Sequence, residues 1–327
     1  MTSDATRRAE ALVAERLPEA RGLGVALAEL IDEPEEFVRV LRDGLSRLAD
    51  DAYAREQDRV APRSGAIFGV RAPLLAAVSR QLREPLRDAS AASALWLADR
   101  LASEDERELV LFSHVALERS LPDDPERSWQ LMRQLGRRAA DWISVDTLAG
   151  LVAQGVLLER FRWAELEQLV FSSDHWERRL VGSTVARLPF ELPKDRRAEL
   201  SGSPGLTLIK SLIGDAEADV QEALSWALRS WLEVDPHGVR EVLRSEAAQA
   251  SRTDDGHRAW VLRDALSAPS LDEALRIEIR QRLVGIRRRP SQPSTSAAGA
   301  VATGFADLNA LADKAVEQQG RRQGWAS

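Results

Sequence analysis

The sequence predicts an all-α protein built as a stack of helix pairs. From Glu35 to about Arg289, amphipathic stretches of helical length alternate with short breaks. No segment shows the strict apolar–polar alternation in β-branched residues that marks strands. The breaks themselves carry helix punctuation.

In chain order, residues 1–33 read as a charged helical extension and residues 34–289 as one repeat domain. Inside that domain, Asp88 and Ser90 precede a stretch at 91–101, and Asp123-Asp124-Pro125 precedes one at 126–135. Ser203-Pro204-Gly205 marks another break, and Asp235-Pro236 opens the stretch 237–244. Asp and Ser are favoured N-caps because their side-chain oxygens accept the orphan N–H groups of a first turn, and Pro fits the first helical position. The pairs recur at a spacing near that of HEAT units without a crisp consensus, which predicts a HEAT-like solenoid, an α-α superhelix with a concave binding face. After Arg287-Arg288-Arg289, the Pro- and Ser-rich stretch 290–304 reads as a flexible linker, and 305–327 as a tail with a short helix.

Composition narrows the function. Apolar residues make up 44% and charged residues 30%, enough for a sizeable core. With no cysteine and four scattered histidines, neither a disulfide scaffold, a thiol nucleophile nor a metal site is expected, and no cofactor is called for. No stretch has the length of a signal peptide core or a membrane span, so the expected location is the cytoplasm and no membrane partner is expected. A net charge of −7 argues against binding nucleic acid by bulk electrostatics, so any such binding needs local basic patches. Basic residues cluster at Arg178, Arg179, Arg187, Lys194, Arg196 and Arg197, with Lys210, Arg229 and Arg287–Arg289 further on. Nearby acids could simply make these solvated helix faces. Acidic stretches such as 33–36 and 104–108 are expected on the convex side.

Nine tryptophans against one tyrosine is an unusual balance, and three of the nine fall off the core stripe of their helices. Over 141–152 the stripe is Val145, Leu148, Leu151 and Val152, with Trp142 to one side and Asp146 one turn above it. Over 175–188 it is Leu180, Val181, Thr184, Val185 and Leu188, with Trp176 and Arg179 away from it. Over 217–232 it is Val220, Leu224, Ala227, Leu228 and Trp231, with Trp226 off the stripe and Arg229 three residues on. Such positions can be contacts between repeats. They can equally form a binding face, because solenoids align equivalent helices along one surface and indoles interleaved with arginines suit a nucleic-acid sugar or base.

The same residues carry a likeness. Asp141-Trp142-Ile143-Ser144-Val145-Asp146 resembles the "W-D-x-V-D" helix of the AlkD-like DNA alkylation repair family. Ser173 to Arg179 is similar to that family's "N-x-W-x-x-R" helix start, and Leu224-Ser225-Trp226-Ala227-Leu228-Arg229 to its "G-W-x-L-R" helix. Phe68-Gly69-Val70-Arg71-Ala72-Pro73 resembles its "L-G-V-R-x-P" loop. The likeness runs from about Phe37 to about Arg280, with Ser225 where relatives often carry Gly and Val60 where many carry an aromatic.

The resemblance implies a DNA glycosylase that excises positively charged N3- or N7-alkylated purines in base excision repair. It implies Asp146, Trp142 and Trp226 as catalytic residues, and Arg179, Arg178, Trp176, Arg229 and Arg71 as DNA contacts. The implied partner is double-stranded DNA containing alkylated bases, bound by a monomer. A non-catalytic binder of DNA structures or of a protein partner is the alternative on the same scaffold.

Overall fold

The computed structural model describes residues 4–62, 65–289 and 291–301, and helices dominate them. The helix expected after Phe305 lies outside the described residues. Chain contacts divide the protein into two compact units, Met1–Glu159 and Arg160–Ser327, where the sequence suggests one continuous repeat domain over 34–289. Repeat arrays make contacts between neighbours only, so periodicity alone does not reveal where contacts thin out.

Unit 1 contains α1 (Asp4–Ala28), α2 (Pro34–Leu48), α3 (Asp51–Val60), α4 (Ala72–Asp88), α5 (Ala91–Ala102), α6 (Arg107–Ser120), α7 (Pro125–Arg138) and α8 (Trp142–Leu158). They pack as two rows: α1, α4, α6 and α8 form one, and α2, α5 and α7 form the other. The rows are joined by α1 on α2, α5 on α6 and α7 on α8. Ser90 and Asp124 cap α5 and α7 through their side chains, as the punctuation predicts, and Asp141 caps α8 in the same way. At the joint between α7 and α8, a Cβ on Gly155 would come within 2.9 Å of the fully buried Trp129 ring, so only glycine admits the indole there.

Unit 2 contains α9 (Arg162–Leu169), α10 (His175–Arg187), α11 (Gly205–Leu212), α12 (Ala218–Trp231), α13 (Pro236–Thr253), α14 (Gly256–Ala265) and α15 (Glu273–Arg282). The two-row pattern recurs, with α10, α12 and α14 in one row and α11, α13 and α15 in the other. All the stripe residues named above on α8, α10 and α12 are buried, while Trp142, Trp176 and Trp226 are half-buried. The face bookkeeping from sequence therefore holds for all three tryptophans.

The Pro- and Ser-rich stretch differs from the flexible linker that its composition suggests. Thr295 N–H donates to Gly214 O at 2.9 Å, Arg258 donates to Thr295 O at 3.2 Å, and the His257 ring meets Gln292 O at 2.8 Å. Ser296 and Ala298 are buried against unit 2, and residues 297–301 are helical. Small side chains rich in hydroxyls suit a strap whose backbone must reach polar groups on a packed surface. Among the described residues no helix is long and apolar enough to cross a membrane.

Candidate active site

In unit 1 the candidate residues sit at the start of α8. Asp141, almost fully buried, accepts hydrogen bonds from Ile143 N–H at 2.8 Å and Ser144 N–H at 3.0 Å, and from the Ser144 hydroxyl at 2.7 Å. This fixes the first turn and with it Trp142, the first helical residue. Asp146 follows four residues later, about 6 Å up the axis on the same side, and is half-buried. An indole face and a carboxylate thus stand one above the other on a turn held by its own cap.

The loop before α4 is held just as firmly. Gly69 adopts φ +76°, and its N–H donates to Glu108 at 2.8 Å, with Phe68 and Val70 N–H on the same carboxylate. Arg71 forks onto Asp50 Oδ2 at 3.0 and 2.7 Å and lies 4.8 Å from the centre of the Tyr53 ring. Burial pushes the Asp50 carboxyl up, but the Arg71 fork and the α3 N–H groups outweigh it and hold the group below its usual range. Val60, which ends α3, is exposed. In the acidic stretch 104–108, Glu104, Glu106 and Glu108 act as fasteners while Asp105 is exposed. Glu104 pairs with Arg42 and Arg100, Glu106 pairs with Arg42, and Glu108 is buried under the loop.

In unit 2, Asp174 caps α10 through Trp176 N–H at 2.9 Å, and Trp176 packs on His175 with ring centres 4.5 Å apart. The two arginines that follow face different surroundings. Arg178 forks onto the buried Asp215 at 2.7 and 3.3 Å and donates to Ser172 O at 2.9 Å. Arg179 lies opposite the core stripe on a helical wheel, yet it is only 4% exposed. The reason is that α10 packs closely along α12, where a Cβ on Gly182 would meet the Ala223 Cβ at 2.9 Å. The Arg179 guanidinium thereby reaches the first turn of α12. It donates to Asp219 O at 2.6 Å and lies 3.5 Å from Glu222 Oε2 and 3.8 Å from Asp219 Oδ1.

On α12, Arg229 pairs with Asp264, and the buried Ser225 hydroxyl donates to that carboxylate at 2.6 Å. Trp226 sits half-buried between the buried Ser225 and Ala227. The other basic residues of the cluster are largely matched as well. Arg187 pairs with Glu191, Arg196 with Glu199, Arg197 with Glu233 and Arg289 with Asp254. Lys194 and Lys210 are exposed.

All four arginines expected to contact DNA therefore meet a carboxylate of their own unit. Sequence reasoning missed those partners because they lie 21 to 43 residues away, beyond any helical periodicity.

The family model described as DNA alkylation repair enzyme matches residues 41–267, well over half of the chain. Among solved structures, the chain is similar to a "Predicted DNA alkylation repair enzyme from Enterococcus faecalis". The identity is 17%, the match covers 72% of this chain and 97% of that one, and the TM-score is 0.46. No curated protein matches the sequence.

Proposed function

We propose, from the premise that this chain belongs to the DNA alkylation repair enzyme family, that it is a DNA glycosylase for N3- and N7-alkylated purines. Alkylation at those positions makes the base cationic, so the glycosidic bond breaks with its electrons returning to the base. Positive charge develops on the sugar at that moment. A fixed carboxylate beside the anomeric carbon stabilises that charge and positions the water that adds there, the logic of glycoside hydrolysis. In this reading Asp146 is the carboxylate and Trp142 lays its ring against the cationic sugar. The observation that carries the proposal is their pairing on the capped first turns of α8.

Unit 2 would contribute contacts to the DNA. Trp226 and Trp176 offer half-buried indole surfaces, and Trp226 is the one assigned to the sugar. Arg179 is the candidate for a phosphate, because its partners Asp219 and Glu222 are themselves solvent-accessible and can be exchanged for a phosphate oxygen. Arg178, locked to a buried aspartate, fastens the start of α10 instead. Arg71 and Arg229 would need to leave Asp50 and Asp264 to reach DNA. The substrate is an alkylated duplex, bound by a monomer in the cytoplasm.

The pairing of all four candidate arginines favours one alternative, a non-catalytic binder of DNA structures or of a protein partner. One experiment separates the two. Wild type and Asp146→Asn are incubated with methylated duplex DNA, and free 7-methylguanine and 3-methyladenine are measured. Release by wild type and loss in the variant support the glycosylase. No release by wild type leaves the binder.

A further inference from the structure

Unit 1 holds a half-open cavity of about 200 Å³ between α6, the end of α7 and the first turns of α8. Two buried polar groups on its wall lack hydrogen-bond partners: Arg107 Nη1 and His114 Nδ1. Arg107 is 6% exposed and His114 7%, so neither reaches bulk water easily. An unpaired buried group of this kind is destabilising, and more so when charged. Two on one wall mark a place where a hydrogen-bonding guest would be held. They lie seven residues apart on α6, about 10 Å along one face.

The charge of the ligand follows from the other lining groups. Glu104 is committed to Arg42 and Arg100, and Asp141 to the N–H groups and hydroxyl at the start of α8. Asp105 is almost wholly exposed. Arg138 donates to the carbonyls of Ala102 and Glu104. Arg107 donates through Nη2 to Gln57 at 3.3 Å and makes no ion pair among the described residues. Arg107 is therefore a lining guanidinium without a carboxylate partner among the described residues, and the Asp141 oxygens are already taken by donors. Burial pushes the His114 imidazole down to about 4, so at neutral pH it offers one donor and one acceptor without adding charge.

We propose that this cavity binds a small organic oxyanion, its carboxylate or phosphate head on Arg107 and a second hydrogen-bonding group on His114. Leu111, Leu135 and Leu148 supply apolar walls for the body of the molecule. The volume lies below the roughly 300–1,000 Å³ of sites for drug-sized ligands, which suits a small metabolite rather than a macromolecule. Asp141 and Ser144 line the same cavity, so the occupant bears on the cap that sets Trp142. The proposal does not rest on the glycosylase reading.

The test uses the full chain with acetate and inorganic phosphate as probes, following the His114 ring resonances by NMR. Wild type should show a saturable shift with at least one probe. Arg107→Met should weaken that binding at least ten-fold, and Arg107→Lys should keep part of it. Saturation by acetate alone or by phosphate alone names the head group. Crystals soaked in selenate give a second readout that does not depend on any variant folding, with an anomalous peak expected beside Arg107 Nη1. Absence of any saturable shift, undiminished binding by Arg107→Met, or ordered water alone in the cavity would overturn the proposal.

Discussion

At the start of α8, in unit 1, Trp142 and Asp146 stand half-buried on a turn whose cap is satisfied internally. In unit 2 the corresponding off-stripe positions on α10 and α12 pair tryptophans with arginines, and those arginines turn inward to Asp215, Asp219, Glu222 and Asp264. The two units share a two-row helix architecture and differ in what their polar groups do. Unit 1 leaves Arg107 without an ion pair among the described residues, beside a cavity, while the candidate arginines of unit 2 each meet a carboxylate of that unit. A count of basic residues along the chain thus overstates how much positive charge unit 2 offers to DNA.

Each unit has a tryptophan at the joint between its rows. Trp129 packs against Gly155 in unit 1, and Trp231 against Gly205 in unit 2, each 1% exposed. Trp129→Ala and Trp231→Ala should each cost about 3–5 kcal/mol in urea unfolding. If only one does, the two units do not rely on the same kind of joint.

A somewhat smaller effect is expected for His114. Its folded value is about 4 against 6.5 for the unconstrained ring. Between those values the unfolded chain takes up a proton that the folded chain refuses. The stability linked to this group is therefore complete above pH 6.5 and is lost as pH falls towards 4, by about 3 kcal/mol in all. Urea titrations at a series of pH values should show a flatter profile for His114→Gln. An unchanged profile would mean that the ring takes up its proton equally in the folded and the unfolded chain.

Unit 2 yields the smaller effects. Arg179→Ala should weaken duplex binding and lower the slope of log affinity against log salt by about one. Arg178→Ala should lower the melting temperature and leave the slope alone, because its guanidinium is held by Asp215. Equal slopes for both variants and wild type would remove Arg179 from the DNA contacts. Weakest of all, Trp142→Phe should lose about 0.5–1 kcal/mol of transition-state binding while keeping an aromatic face.

The helices were legible in the sequence because each apolar stripe repeats within a few residues, as with Val220, Leu224, Ala227 and Trp231. The half-buried state of Trp142, Trp176 and Trp226 was legible for the same reason. A helical wheel knows one neighbour, however, and helices in a row have several, so the burial of Arg179 was not legible. Nor was the role of Glu108, whose carboxylate holds a loop some 40 residues earlier. The strap at 291–301 was hidden for a different reason. Its apolar residues are three alanines and Val301, too small and too few to form a stripe, and hydrogen bonds to Gly214, His257 and Arg258 help to dock it.

The decisive measurement is the single-turnover rate of 7-methylguanine release at saturating enzyme, for wild type, Asp146→Asn and Arg179→Ala. Loss of one fixed electrostatic group should slow Asp146→Asn by roughly 10²–10³-fold, with duplex affinity retained. Arg179→Ala should affect binding more than the rate. Equal single-turnover rates for wild type and Asp146→Asn would contradict the account.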